Sequence, residues 1–179
     1  MAEQVYTLAP LTLVLGGQRS GKSVHAESLI SPYDGGVYVA TGQASDDEMA
    51  TRIKAHQARR SEGWVSVEER LDLSQSLLWA GKNHPDKPVL IDSLGMWVSN
   101  MLHDGRDPGP EIEKTVLVML NHPAPVVVVS EEVGLGVIPM NKIARSFVDA
   151  LGIVNQITAT LAQHVVLVVA GLPQTLKSD

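Results

Sequence analysis

The chain has 179 residues, 44% of them hydrophobic and 19% charged, a composition that builds a folded core and excludes a disordered chain. The formal net charge of −6 argues against a nucleic-acid partner. The absence of cysteine excludes disulfides, thiolate metal sites and cysteine nucleophiles.

The N-terminus, MAEQVYTLAP, has no basic cluster before its apolar run and does not read as a signal peptide. The apolar run Leu11–Leu15 reads as the first buried strand, and a helix is predicted over Ser23–Ile30. Between them lies GGQRSGKS, Gly16 to Ser23, which fits the G-x-x-x-x-G-K-S phosphate-loop pattern. Glycines let the backbone turn its N–H groups around phosphate oxygens, and the helix N-terminus adds partial positive charge. Lys22 is placed to reach the terminal phosphates and Ser23 to bind magnesium. Arg19 is a further cation in the loop.

Further strands are predicted over Val37–Ala40, Trp64–Glu68, Val89–Ile91, Val126–Val129 and Val165–Val169. Helices are predicted over Asp46–Arg60, Leu73–Ala80, Trp97–His103, Ile112–Leu120 and Ile143–Leu161. The turn-rich stretch His103–Pro110 is too short to divide domains, so residues 1–179 read as one unit. The alternation implies an α/β fold, a mostly parallel sheet flanked by helices. No apolar stretch is long enough to span a bilayer.

A phosphate-loop protein needs an acid at a strand end to complete the magnesium shell. Asp92 follows one strand, and Glu131 and Glu132 follow another. Either position would serve. Asp92 is the better metal partner, because its strand is short and clean. On the helix predicted over Asp46–Arg60, Arg52, His56 and Arg59 share a face. Arginine neighbours favour a neutral, nucleophilic imidazole and can hold phosphate oxygens. The same spacing also describes a solvated charged face. The other histidines form no metal-ligand spacing.

The ordered blocks GGQRSGKS, VYVATGQASDDEMATRIKAHQARR, VLIDSLGMWVSN, VVVSEEVGLGVIP and ARSFVDALGIVNQ resemble the bifunctional adenosylcobinamide kinase / adenosylcobinamide-phosphate guanylyltransferase family of cobalamin biosynthesis. The resemblance covers nearly the whole chain. It implies a RecA-like P-loop fold and two reactions. A nucleoside triphosphate phosphorylates the aminopropanol hydroxyl of adenosylcobinamide. GTP then donates GMP to that phosphate through a guanylylated histidine, giving adenosylcobinamide-GDP.

By position in the D-D-E-M block, the resemblance makes His56 the nucleophile. It makes Gly16, Gly17, Gln18, Arg19, Ser20, Gly21, Lys22 and Ser23 the phosphate cradle. Ala40, Thr41 and Gly42 become a strand-end nucleotide contact, with Glu68 and Asp92 near the guanine nucleotide. Arg52 and Arg59 are expected to contact phosphates, with Lys22 catalytic, and Ser23 and Asp92 to hold Mg2+. The chain departs from the family pattern at Glu131, where asparagine is expected, and at Ile153, where arginine is common. The resemblance further implies GTP and ATP as substrates, a cytoplasmic enzyme and a homotrimer. Without it, the same loop would also suit a single-function kinase of another hydroxylated metabolite, or a nucleotide-dependent switch.

Overall fold

The computed structural model describes residues 8–42 and 63–179. The helix predicted over Asp46–Arg60, with Arg52, His56 and Arg59, lies outside the described residues.

The elements follow one another as β1 (Leu11–Gly16), α1 (Lys22–Ile30), β2 (Val37–Ala40), β3 (Val65–Glu68), α2 (Leu73–Asn83), β4 (Val89–Asp92), α3 (Leu94–His103), α4 (Pro108–Leu120), β5 (Val126–Glu131), α5 (Lys142–Leu161), β6 (His164–Val169) and β7 (Leu172–Ser178). They form one seven-stranded sheet of order β3-β2-β4-β5-β1-β6-β7. Every pairing is parallel except β6 with β7. This is the expected α/β sheet flanked by helices.

Alternating side chains build two cores, because successive residues of a strand face opposite sides of the sheet. Leu11, Leu13, Ile91, Val126 and Val128 pack with Leu77, Trp97, Met101, Ile112, Val116, Leu151 and Val154, from α2 to α5. Val14, Leu90, Val127, Val129 and Val166 pack with Ala26 and Ile30 of α1 on the other side. Burial on both faces explains why the central strands read as continuous apolar runs rather than alternating ones. Trp97 is fully buried, and its indole N–H donates to the Leu71 carbonyl at 2.9 Å.

Three boundaries move for identifiable reasons. The strand predicted from Trp64 begins at Val65, and Trp64 packs edge-on against Tyr38 with ring centroids 6.4 Å apart. The helix predicted from Trp97 begins at Leu94, because Ser93 caps it by accepting from the Met96 N–H. The helix predicted from Ile112 begins at Pro108, where Asp107 accepts from Gly109 and proline occupies the first turn.

Strand β7 has no counterpart among the predicted elements. It is joined to β6 by Ala170 and Gly171, both at positive φ (52° and 81°), the backbone a two-residue hairpin requires. Its sequence, LPQTLKS, is mostly exposed and contains Pro173. Proline is tolerated here because the strand lies at the sheet edge.

Candidate nucleotide site at the carboxyl ends of the strands

β1 ends at Gly16, which is level with Glu131 of β5 on one side and Val168 of β6 on the other. A Cβ on Gly16 would collide with the Ser20 side chain and the Val168 carbonyl. The loop then turns through Arg19 (φ 57°) and Gly21 (φ 96°), closed by the Ser20 N–H donating to the Gly17 carbonyl at 3.2 Å. The β6–β7 hairpin braces it from outside. The Gly171 N–H donates to the Ser20 carbonyl at 2.8 Å, and a Cβ on Gly21 would stand 3.2 Å from the Gly171 Cα.

α1 starts directly at Lys22 with no side-chain cap. The Lys22 N–H donates to the Ser20 hydroxyl at 3.4 Å, and the positive end of the helix dipole is left facing the loop, where it favours an anion. Gln18 and Arg19 are exposed, Ser20 and Lys22 are buried, and Ser23 is half-buried in the first turn. The Lys22 ammonium lies 3.4 Å from the Gly17 carbonyl and 3.5 Å from Glu131 Oε1.

Glu131 is held by groups other than the lysine. The Ser93 hydroxyl lies 3.0 Å from both carboxylate oxygens. A Cβ on Gly95 would overlap the carboxylate where it now lies, so a larger residue there would push the Glu131 side chain aside. Asn155 of α5 donates to the Glu131 carbonyl at 3.0 Å and accepts from the Ser130 hydroxyl at 2.6 Å. Asn155 thus fixes the end of β5 from within the fold. Arg145 donates to the Pro139 and Met140 carbonyls, which secures the loop after β5.

The other predicted residues line up beside this cluster. Ala40 is level with both Asp92 and Glu68, so the ends of β4, β2 and β3 form a row. Asp92 Oδ2 accepts from the Tyr38 hydroxyl at 3.0 Å. Thr41 is buried and exchanges two hydrogen bonds of 2.7 Å with the Ser93 backbone, one from its hydroxyl and one to it. Its carbonyl accepts from Asn100 at 2.8 Å. Gly42 follows on the surface side, and Glu68 is exposed at the sheet edge.

Thr41, Ser93, Glu131, Lys22 and Gly17 therefore form a continuous polar chain from β2 across to the phosphate loop. Asp92 ranks above Glu131 in the sequence as the metal partner, yet the carboxylate in contact with Lys22 is Glu131. Ser93 and Gly95 join the site without carrying a role in any of the sequence motifs. Their signals are present, a serine before a helix and a glycine inside one.

Among the described residues, no group of three or more His, Asp or Glu side chains could hold a metal alone. A magnesium ion here would need oxygen from a hydroxyl, a carboxylate and a nucleotide together, which is the donor set that ion prefers. Away from this cluster, burial and then the nearby His164 push the His25 imidazole below its ordinary value. No described helix is long and apolar enough to cross a membrane.

The fold is similar to that of a KaiC-like protein from Pyrococcus horikoshii, with a TM-score of 0.56 and 18% identity. That match covers 90% of this chain and 72% of the other, and it supports the RecA-like P-loop architecture. The chain is 40% identical to a bifunctional adenosylcobalamin biosynthesis protein of Escherichia coli, over 93% of this chain and 99% of the relative. It is 38% identical to the corresponding proteins of Pseudomonas aeruginosa and Salmonella typhimurium, covering 97% and 99% of those relatives. Residues 12–176 match the family described as cobinamide kinase / cobinamide phosphate guanyltransferase. A phosphate loop at the carboxyl edge of a parallel sheet, matched along almost its whole length to enzymes of this kind, makes the chain a member of the cobinamide kinase / cobinamide phosphate guanyltransferase family.

Proposed function

We propose that the protein phosphorylates adenosylcobinamide and then guanylylates the product, with both reactions drawing on the loop Gly16 to Ser23. In the first, the substrate hydroxyl attacks the γ-phosphorus of ATP or GTP, loses its proton and releases the diphosphate. In the second, His56 attacks the α-phosphorus of GTP and pyrophosphate leaves. A phosphate oxygen of adenosylcobinamide phosphate then attacks the same phosphorus and frees the histidine. The observation that carries this reading is the family match over residues 12–176, together with a buried Lys22 at the head of α1.

Lys22 and the loop N–H groups bind phosphate oxygens and orient the chain for either attack. Ser23 and an acid, Asp92 or Glu131, are the residues that would hold Mg2+. That ion supplies charge neutralisation on the phosphates. Ala40, Thr41, Gly42, Glu68, Arg52 and Arg59 complete the nucleotide contacts in this reading.

The test is covalent labelling with GTP carrying the label on the α-phosphorus. An acid-labile label on His56, absent when the γ-phosphorus is labelled, is the expected result. A folded protein that takes no label while still phosphorylating adenosylcobinamide would leave a single-function kinase.

The same reading has the chain working as a cytoplasmic homotrimer. An apolar run after β5 supports association: Leu135, Val137, Ile138, Met140 and Ile143 are each at least 77% exposed. Sedimentation should give three times the mass of one chain. A monomer at assay concentration would refute it.

A further inference from the structure

Lys22 has two partners that a bound triphosphate would have to share or displace. One is the Gly17 carbonyl and the other is Glu131. The ammonium has three donors, so it can release one partner and keep another. The carboxylate is less free. Ser93 holds both its oxygens at 3.0 Å, Gly95 provides the space it fills, and Asn155 pins its backbone. The Lys22 side chain is 9% exposed and that of Glu131 22%, so water screens the pair only in part.

A triphosphate seated on Lys22 therefore brings its negative charge against a carboxylate that is anchored in place. We propose that Glu131 is a specificity-determining residue that makes the loop select the magnesium complex of a nucleotide over the free nucleotide. In the nucleotide-free site, Glu131 pairs with Lys22. When phosphates take over the lysine, the carboxylate loses its counter-ion and faces an anion. A divalent cation restores the balance, because a carboxylate oxygen and phosphate oxygens are the hard donors that magnesium accepts. Free nucleotide meets the repulsion, and the complexed nucleotide does not. By linkage, magnesium tightens the nucleotide by the same factor that the nucleotide tightens magnesium.

This inference rests on the nucleotide-binding reading of Gly16 to Ser23, and the experiment separates the two. GTP in its α,β-methylene form, which cannot release pyrophosphate on attack by His56, is titrated calorimetrically into the full chain at fixed ionic strength, once with excess magnesium and once with chelator. Wild type, Glu131→Gln and Glu131→Asp are compared, each checked by thermal melting for an intact fold. Glutamine keeps the size and an acceptor for Ser93 but removes the charge. Aspartate keeps the charge.

In wild type, magnesium is expected to tighten this analogue by about tenfold or more, in the range of ordinary coupling between sites. Glu131→Gln should bind the metal-free analogue about tenfold more tightly, so that the gain from magnesium largely disappears. Glu131→Asp should keep the wild-type contrast. An unchanged magnesium gain in Glu131→Gln overturns the proposal while leaving the nucleotide site intact. Equal loss of the contrast in both variants also overturns it, since packing and not charge would then be responsible. Absence of analogue binding to wild type with magnesium present would instead remove the nucleotide-binding reading itself.

Discussion

Lys22→Ala is expected to lower kcat/KM for both the phosphoryl and the guanylyl transfer by roughly 10²–10³-fold, the usual cost of removing one preorganised donor from a developing phosphate charge. The expectation comes from where the ammonium is held. It is buried at the first position of α1, in reach of the loop carbonyl of Gly17 and of a carboxylate, so it needs little reorganisation to meet a phosphate. Truncation also leaves Glu131 without its cation. Because that carboxylate is 22% exposed and still bonded to Ser93, the fold should tolerate the loss, and the deficit should appear in catalysis. Lys22→Arg should not restore full activity, since a planar guanidinium cannot take the place of a compact ammonium in a packed loop. Steady-state assays of the two half-reactions on one preparation decide the matter. If either reaction ran at the wild-type rate, the two could not share this loop.

The loop was legible in the sequence because everything that makes it is local. A buried strand, a glycine-rich turn and a helix start follow one another within Leu11–Ile30, and each has a short-range signature. Asp92 was legible for the same reason, as an acid directly after an apolar strand. The role of Glu131 was not, because it depends on register. Only the order β4-β5-β1 brings Ser93 and Gly95 from beyond β4 to a residue that is level with Gly16. Pairing of that kind joins positions far apart in the chain and leaves no local pattern. Strand β7 was hidden by a different cause. Its polar residues and Pro173 suit a solvated edge, whereas β1, β2, β4, β5 and β6 announce themselves by apolar runs and the other edge strand, β3, by valines in alternation. Yet its hairpin carries Gly171, which braces the phosphate loop at Ser20. Helix starts shifted wherever a cap lay a turn before the apolar pattern, as at Ser93 and Asp107.

His56→Ala should separate the two reactions that Lys22→Ala affects together. Guanylyl transfer is expected to fall by on the order of 10⁴-fold or more, as when a covalent nucleophile is removed from a two-step enzyme. The kinase step should stay within about tenfold of wild type, since transfer of a γ-phosphoryl group to a hydroxyl runs on positioning and charge neutralisation without an enzyme nucleophile. The asymmetry follows from the two leaving groups. Attack at the γ-phosphorus releases a diphosphate in one step. Attack at the α-phosphorus must expel pyrophosphate and still deliver GMP to a second, negatively charged phosphate. A neutral imidazole approaches the α-phosphorus without that like-charge repulsion, and the acceptor phosphate then meets a phosphoramidate with pyrophosphate already gone. His56 lies outside the described residues, so the assignment draws its weight from sequence position and chemistry. Product analysis of the variant, with adenosylcobinamide and with its phosphate as separate substrates, reads the split directly. Equal loss of both activities in a folded variant would make His56 a structural residue and return the nucleophile to open question.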